Sequence, residues 1–322
     1  MSLYRNSIWF MKGLQEYTKG GYEAAAKSFR AQDLEVDASG RSFMVTGANS
    51  GIGKAAALHM AKRGGAVHLV CRNRERAEQA REDIVKESGN QSVFVHLLDM
   101  SDPSKVWEFA ENFKKENETL NVLVNNAGCM VNQRELTADG LETNFATNTL
   151  GTYILTTAFL PLLEKSGDDA RVVTVSSGGM LVQKLDPDDL QVERGPFDGT
   201  MVYSQNKRQQ VAMTEQWAAR HRGVHFSSMH PGWADTPAVR TAMPEFHRRM
   251  KGRLRTEEQG ADTAVWLALS PAARAHPSGL FFQDRKAVAT HLPLAWTRSS
   301  DAEAQRLMGK LEEIAARFKA PA

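Results

Sequence analysis

A tyrosine and a lysine four positions apart are the residues of this sequence best suited to moving a proton. They stand in the segment Tyr203-Ser204-Gln205-Asn206-Lys207, which has the pattern of a helix start. Residues four apart share one helical face, so both side chains point the same way. An unperturbed tyrosine titrates near pH ~10, and a nearby ammonium favours the phenolate and lowers that pKa. The pair therefore predicts a tyrosine that exchanges a proton with a carbonyl or an alcohol.

A pair of serines precedes this helix at the end of an apolar run. Ser176 and Ser177 follow the run Val172–Val175, and either hydroxyl could polarise a substrate carbonyl beside Tyr203. Spacing alone does not choose between them, and two ordinary turn serines would give the same pattern. Which hydroxyl completes the site is therefore open on these residues alone.

A glycine-rich turn lies between the first apolar run and the first helical segment. It reads Thr46-Gly47-Ala48-Asn49-Ser50-Gly51-Ile52-Gly53. Gly47 permits a tight turn, Gly51 lets the backbone approach a pyrophosphate, and Gly53 allows helix and strand to pack closely. Phosphates would lie at the helix N-terminus, where unpaired N–H groups and the helix dipole favour negative charge. The turn predicts a dinucleotide site, with an ordinary turn as the alternative. Its expected cofactor contacts are Gly47, Asn49, Ser50, Gly51, Ile52 and Gly53.

The end of the second apolar run indicates which cofactor binds. In a fold of this kind an acidic side chain there binds the 2′-hydroxyl of NAD, whereas an arginine suits the 2′-phosphate of NADP. The run ends Val70-Cys71-Arg72 with no carboxylate at its tip. A guanidinium matches phosphate geometry, so Arg72 favours NADP(H) over NAD(H). The alternative is an arginine that belongs only to a solvated helix start.

Two further strand ends are expected to contact the cofactor. Asp99 and Met100 follow the third apolar run, where the adenine ring would lie. Asn126, Ala127 and Gly128 follow the fourth, and this stretch would let the backbone approach the cofactor. Ligands of parallel sheets bind beyond the carboxyl ends of the strands, which favours these contacts over ordinary loops.

Residues 42–283 alternate between strand-like and helix-like patterns. The apolar runs are Phe43–Thr46, Val67–Val70, Val93–His96, Val122–Val124, Val172–Val175, Val224–Met229 and Leu280–Phe282. The helical segments are Gly51–Arg63, Arg74–Glu87, Pro103–Glu116, Gly140–Leu163 and Tyr203–Arg220. This alternation predicts a Rossmann-like, doubly wound parallel sheet in a three-layer α/β/α fold. We expect a helical N-terminal extension over residues 1–40, a catalytic domain over 41–285, and a C-terminal extension over 286–322 with a terminal helix.

Composition narrows the functional classes. Of the 322 residues, 42% are hydrophobic and 24% are charged, which suits a globular protein. A net charge of +2 is too small to predict nucleic-acid binding. Cys71 and Cys129 form neither a metal-ligand spacing nor a disulfide framework, so we expect no metal. No secretory signal or membrane-spanning stretch stands out, and we expect a cytoplasmic protein, or one attached peripherally to a membrane.

The first 40 residues allow two interpretations. Basic residues outnumber acidic ones through Arg30, and Trp9, Phe10, Met11 and Tyr17 add apolar bulk. A basic, aromatic helix within residues 1–30 could contact a membrane surface. The apolar run at 8–11 points all round a helix, however, which favours a helix packed on the main domain.

Taken in order, these motifs resemble those of the short-chain dehydrogenase/reductase superfamily over roughly residues 40–285. The matching set is the glycine turn, Asn125–Gly128, Asn148, Ser177, Tyr203-x-x-x-Lys207 and Pro231-Gly232. The resemblance implies a sheet of about seven strands and Tyr203 as the acid/base. It also implies that Lys207 lowers the pKa of Tyr203 and binds the nicotinamide ribose, and that Ser177 is the active serine.

The same resemblance assigns roles to residues outside these motifs. It implies that Asn148 supports a water-linked proton relay, and that Pro231, Gly232 and Thr236 contact the nicotinamide. The neighbouring His230 and Trp233 could either pack in the protein or contact substrate. Members of the superfamily often dimerise through the helices that correspond to residues 140–163 and 203–220, so a homodimer is a hypothesis that the resemblance suggests.

A more distant similarity to retinol-dehydrogenase-like enzymes suggests the substrate. It implies an NADP(H)-dependent oxidoreductase that interconverts a carbonyl and an alcohol on a lipophilic molecule. Segments 178–199 and 237–256 would shape the pocket. The apolar residues expected in its wall are Met180, Leu181, Val182, Met243, Phe246 and Met250. The alternative function is an NADP(H)-binding sensor or scaffold with little turnover.

Overall fold

The strands form where apolar residues follow one another without alternation, because both faces of a central parallel strand are covered. The computed structural model describes residues 3–320. The strands are β1 (Ser42–Thr46), β2 (Ala66–Cys71), β3 (Val93–Leu97), β4 (Val122–Asn125), β5 (Arg171–Val175), β6 (His225–His230), β7 (Phe281–Gln283) and β8 (Lys286–Ala287). Each predicted apolar run thus lies on a strand, with ends displaced by a few residues at most.

One sheet contains all these strands in the order β3-β2-β1-β4-β5-β6-β7-β8. Neighbours from β3 to β7 are parallel, and β8 is antiparallel to β7. The predicted doubly wound sheet is confirmed. The sequence pattern did not predict β8, because two residues after a tight turn show no periodicity. The strand order reverses between β1 and β4, and a reversal of this kind opens a crevice for ligands.

Helices cover the sheet on both faces. They are α1 (Leu3–Glu16), α2 (Lys19–Ala26), α3 (Gly51–Ala61), α4 (Arg74–Ser88), α5 (Pro103–Glu116), α6 (Gly151–Lys165), α7 (Gly199–Arg220), α8 (Pro237–Ala242), α9 (Pro244–Arg249), α10 (Glu257–Leu269), α11 (Pro271–Arg274) and α12 (Asp301–Ala316). One large apolar cluster joins α3, α4 and α10 to the sheet, and a second joins α5, α6, α7 and α12 to it. The three-layer α/β/α arrangement is therefore confirmed.

The helix predicted from Gly140 begins later than expected. The buried carboxylate of Glu142 accepts hydrogen bonds from the backbone N–H of Asn144 (3.0 Å) and of Phe145 (2.7 Å). It therefore satisfies N–H groups that have no partner at a helix start. A π-helical turn, Phe145–Leu150, leads from there into α6.

The helix predicted from Tyr203 begins one turn earlier, at Gly199. The side chain of Asp198 accepts hydrogen bonds from the backbone N–H of Thr200 (2.9 Å) and Met201 (3.0 Å), as an N-cap residue does. Tyr203 therefore lies inside a capped, regular helix, and the position of its side chain does not depend on a fraying end. Among residues 3–320, no helix has both the length and the apolar character needed to cross a bilayer.

Candidate active site

Lys207 is held in a fixed position beside Tyr203. Its side chain is buried, and its Nζ donates to the backbone carbonyl of Val175 (2.8 Å) and to Oε1 of Gln210 (3.1 Å). The same nitrogen lies 5.4 Å from the centroid of the Tyr203 ring. The helical spacing predicted from sequence thus brings the phenol and the ammonium together at the carboxyl end of β5.

Burial moves the pKa values of the pair in opposite directions. Tyr203 keeps part of its surface exposed, yet burial of its phenol, with a smaller contribution from Cys129, raises its pKa to about 12. Burial lowers the pKa of Lys207 to about 8. The sequence argument predicted that the ammonium lowers the tyrosine pKa. In this structure burial of the phenol acts in the opposite direction, and the pKa is raised.

The two serines have different environments. The hydroxyl of Ser176 is buried and donates to the backbone carbonyl of Lys207 (2.9 Å), so it ties β5 to α7. Ser177 is partly exposed, and its Oγ accepts a hydrogen bond from the N–H of Gly179 (3.2 Å). The hydroxyl proton of Ser177 is therefore available for a hydrogen bond to a substrate, whereas that of Ser176 is already donated to the protein.

Asn148 fastens the loop after β4 to the helices below it. Its Oδ1 accepts from the N–H of Cys129 (2.8 Å), and its Nδ2 donates to the carbonyl of Cys129 (2.8 Å) and to Oδ1 of Asn206 (3.1 Å). A Cβ added to Gly128 would lie 3.2 Å from Asn148 Oδ1 and 3.5 Å from Lys207 Nζ. The small residue at 128 therefore leaves open the space in front of the lysine.

Gln210 is a site residue that the sequence argument missed. Its Nε2 donates to the backbone carbonyl of Asn148 (2.7 Å), while its Oε1 accepts from Lys207 Nζ. The amide thus links the asparagine carbonyl to the lysine ammonium and helps to fix the position of the ammonium. The sequence feature that could have identified Gln210 is its position three residues after Lys207, on the same helical face.

The glycine turn is joined directly to the loop after β4. Oγ1 of Thr46 accepts from the N–H groups of Asn126 (3.0 Å) and Ala127 (2.9 Å), and Asn126 Nδ2 donates to the carbonyl of Thr46 (2.9 Å). Gly47 has φ of +66°, and a Cβ there would lie 2.9 Å from the Cα of Ala127. Only glycine suits this position, both for its backbone angle and for the space around it.

The start of α3 has no cap from a side chain of residues 3–320, which leaves its N–H groups free of the bond that a capping residue supplies. Ser50, at the N-cap position, makes no side-chain capping bond in the described structure. Gly51 has φ of +59°, and a Cβ there would lie 3.4 Å from Cγ2 of Thr236. Thr236, which follows the Pro231-Gly232 turn, therefore forms the opposite wall. Asn49 and Ile52 belong to the same turn and first helical residues.

The three residues predicted at the adenosine end lie on neighbouring strand tips. Arg72 is exposed at the end of β2, and Asp99 is exposed after β3, where it accepts from the N–H (2.9 Å) and hydroxyl (2.7 Å) of Ser101. Met100 is buried in the apolar cluster under α6. Met100 can therefore offer a cofactor little beyond its backbone.

The N-terminal helices pack against the strand ends that carry the site. The Nε1 of Trp9 donates to the carbonyl of Gly178 (2.7 Å), and Nδ1 of His230 accepts from the N–H of the same glycine (2.8 Å). The buried ring of Tyr17 lies edge-on to His230, with centroids 4.2 Å apart. Burial holds the pKa of His230 well below its ordinary value, which agrees with a neutral ring. The N–H and the carbonyl of Gly178, the residue after Ser177, are thus both hydrogen-bonded to side chains.

These contacts answer two questions that the sequence left open. His230 is buried, and Trp233 packs against the aromatic rings of α1, so both serve packing in this structure. Trp9, Phe10 and Tyr17 face the same protein cluster, as expected for a helix packed on the main domain.

A buried ion pair joins the N-terminal helices to the Pro231-Gly232 turn after β6. Arg255 binds both carboxylate oxygens of Asp284 (2.6 and 2.9 Å) and also donates to the carbonyls of Glu16 (2.6 Å) and Pro231 (3.3 Å). Although Arg255 follows the basic residues Arg249, Lys251 and Arg253 in the sequence, its side chain is only 1% exposed and therefore does not belong to a solvated basic face.

Most of the side chains expected in the apolar pocket wall are packed in apolar clusters of the protein. Met180, Leu181 and Val182 are buried in a cluster with Leu292 and Ala295. Met250 is buried against Tyr17 and Trp233, and Phe246 packs beside it. The sequence showed that these side chains are apolar, and the structure shows which protein groups they pack against.

The chain is similar to known proteins throughout its length. The family model described as short chain dehydrogenase matches residues 41–245. Dehydrogenase/reductase SDR family member 12 of Homo sapiens is 66% identical over 319 residues, 99% of this chain and 100% of that protein. Retinol dehydrogenase 12 of Homo sapiens is 36% identical over 251 residues, 77% of this chain and 78% of that one.

Solved structures share the fold. One short chain dehydrogenase/reductase family protein superposes with a TM-score of 0.60 at 26% identity, covering 76% of this chain and 96% of that one. A short chain dehydrogenase from Escherichia coli, complexed with NADPH, has a TM-score of 0.64 at 24% identity, covering 80% of this chain and 100% of that one. The architecture described above is therefore one that experiment has repeatedly observed.

Proposed function

The chain belongs to the short-chain dehydrogenase/reductase family of oxidoreductases, and from this premise we propose that it interconverts a carbonyl and an alcohol with NADP(H) and Tyr203 as the acid/base. The observation that carries the proposal is the meeting of a phenol, a buried ammonium and a partly exposed hydroxyl at one strand end. This set beside a glycine turn suits proton transfer coupled to hydride transfer.

The residues of the crevice fit a dinucleotide. The start of α3 presents N–H groups without a side-chain cap, and Gly47 and Gly51 hold left-handed backbone where a side chain would narrow the crevice. A pyrophosphate would be bound there by backbone N–H groups and the helix dipole. Arg72, at a strand tip without a carboxylate, supports NADP(H) rather than NAD(H).

Each side chain of the site then has its own role in the transfer of the proton. NADP(H), when bound, supplies or accepts the hydride. Tyr203 gives its phenolic proton to the carbonyl oxygen in reduction and takes it from the alcohol in oxidation. Ser177 donates a hydrogen bond to the same oxygen, and Lys207 stabilises the phenolate that Tyr203 becomes. Asn148 acts through the backbone of Cys129, which it holds at both the N–H and the carbonyl.

A lipophilic substrate is supported by similarity and by one contact. Relatives of 34–36% identity are named retinol dehydrogenases. In this chain, Nδ2 of Asn132 donates to the carbonyl of Ala242 (3.0 Å), so the α8–α9 segment reaches across to the loop after β4. A bridge over the cleft would exclude water and suit an apolar carbonyl compound.

The test is a carbonyl substrate screen that follows NADPH absorbance. Tyr203→Phe should reduce turnover by about a thousandfold or more, since it removes the general acid, yet leave NADPH affinity within about twofold. Nucleotide binding is measured separately by fluorescence titration. Binding without turnover of any carbonyl by the unmodified protein would instead favour the sensor or scaffold alternative.

A further inference from the structure

Two separate segments carry the most exposed large apolar side chains of residues 3–320. Leu3 and Met11 lie on α1 and are 84% and 66% exposed, with Leu14 on the same side of the helix. Leu294 and Trp296 lie in the loop after β8 and are 78% and 83% exposed. Monomeric proteins rarely gather such side chains without a partner for them.

The two segments border the same buried cluster. Trp9 of α1 packs on the cluster from one side, and Leu292 and Ala295 of the loop belong to it. The hydroxyl of Thr297 also donates to the carbonyl of Leu181 (2.8 Å), which anchors the loop at its other end. We define the exposed side of residues 3–15 together with residues 286–298 as the docking surface.

The loop backbone is strained in a way that exposes its apolar side chains. Leu294 and Trp296 both have φ of +56°, the left-handed region that bulky residues rarely adopt. Ala295 between them is buried. The loop therefore turns its smallest residue inward and its two large ones outward, and strain of this kind is retained where it serves a function.

Basic side chains outnumber acidic ones along the docking surface. Residues 3–15 and 286–298 contain no aspartate and no glutamate, although Glu16 follows directly and forms an ion pair with Lys12. Two further basic side chains, Lys286 and Arg298, are exposed in the loop after β8. A second copy of the chain would bring these like charges together, whereas an anionic surface would attract them.

We propose that the docking surface rests on a membrane that contains anionic lipid. Leu294 and Trp296 insert at the level of the headgroups, with Met11 and Leu14 beside them, and the basic side chains meet lipid phosphates. A tryptophan suits this depth because its ring is both apolar and polar. The contact includes part of the segment expected from residues 1–30 and adds the loop after β8, whereas Trp9 and Phe10 of α1, and Tyr17 directly after it, pack inside the protein. It does not rest on the proposed oxidoreductase chemistry.

Co-sedimentation of the full-length protein with vesicles tests the proposal. We expect binding to vesicles of phosphatidylcholine with phosphatidylserine, weaker binding to phosphatidylcholine alone, and release by salt. The double variant Leu294→Ser, Trp296→Ser should lose about tenfold or more in partitioning, because it removes the inserting apolar surface. Leu97→Ser is the matched control, since Leu97 is an exposed leucine on β3 at the opposite edge of the sheet.

Brominated lipids give a second readout. They should quench Trp296 most strongly, since Trp107, Trp217, Trp233 and Trp266 are buried and the partly buried ring of Trp9 packs against Tyr17 and Trp233. The double variant, which lacks Trp296, gives the quenching that Trp9 alone contributes. Unmodified protein that stays in the supernatant with anionic vesicles, or equal loss in the double variant and in Leu97→Ser, would overturn the proposal. A dimer in light scattering that the double variant converts to a monomer would assign the surface to a second copy instead.

Discussion

At the scale of single residues, Tyr203 and Lys207 show how burial sets the chemistry. With the phenol's pKa raised to about 12 and the ammonium's lowered to about 8, the protein holds a protonated tyrosine beside a lysine that titrates near the physiological range. The acid form that carbonyl reduction needs is therefore the resting form. The lysine charge becomes the pH-sensitive component of the pair.

The alkaline limb of kcat/KM should report the titration of Lys207. As pH rises through about 8 the ammonium of the free enzyme is lost, so kcat/KM should fall there. Gln210→Leu removes a hydrogen-bond acceptor that favours the charged form, and should move the limb to lower pH by about half a unit. Gln210→Glu places a carboxylate beside the ammonium and should move it the other way. Identical pH–rate profiles for the unmodified protein and the two variants would show that Gln210 does not affect the titration of Lys207.

Arg72 should determine the choice between the two nicotinamide cofactors. Arg72→Asp removes a guanidinium suited to the 2′-phosphate and adds a like charge, so KM for NADPH should rise about tenfold or more while KM for NADH changes little. Lys86→Asp makes the same change of charge at the far end of α4 and is the control. Unchanged preference in Arg72→Asp would show that the arginine belongs only to the solvated start of the helix.

At the scale of elements, α1 supports the site although it lies outside the span matched by the family model. Trp9 and His230 hold the carbonyl and the N–H of Gly178, and Ser177 is the preceding residue. The position of the serine hydroxyl therefore depends on a helix more than 160 residues earlier in the chain. Trp9 acts as a positioning residue, because it contacts the backbone next to the serine.

Trp9→Phe tests this positioning role. The variant keeps an aromatic ring but loses the N–H that donates to Gly178, so kcat should fall about threefold to tenfold with NADPH affinity unchanged. Phe10→Leu, on the same helix, perturbs packing against Trp233 without removing a hydrogen bond, and controls for loss of stability. Equal kcat values in Trp9→Phe and Phe10→Leu would show that Trp9 acts through packing alone and not through its hydrogen bond to Gly178.

At the scale of the whole molecule, α12 covers helices that the family resemblance proposed for a dimer. Its Leu307 and Leu311 are fully buried in the cluster that also contains Trp217 of α7. Nε2 of Gln216 donates to Asp301 at the start of α12 (2.7 Å), and Nε1 of Trp107 donates to the carbonyl of Ala315 near its end (3.1 Å). The helix therefore lies across α7 and α5 as an integral part of the fold.

We expect a monomer, since α12 occupies the outer side of α7 that a homodimer would use. Light scattering across micromolar concentrations should give one mass near 35.7 kDa. Leu307→Asp, Leu311→Asp should loosen α12 and expose that apolar face, and so promote self-association. Arg317→Asp, exposed after the same helix, is the control. A concentration-independent dimer of the unmodified protein would contradict the prediction.

The sequence by itself determined the order of strands and helices, the cofactor turn and the spacing of Tyr203 and Lys207. These features depend on interactions within a few residues: periodicity, backbone freedom at glycine, and the four-residue repeat of a helix face. Only the tertiary structure decided that Gln210 accepts a hydrogen bond from Lys207, that Ser176 is tied to α7, and that Trp9 and Arg255 join the N-terminal helices to the main domain. Those contacts join segments that are far apart in the chain. The local sequence pattern does not predict them, because they depend on how the helices pack against the sheet.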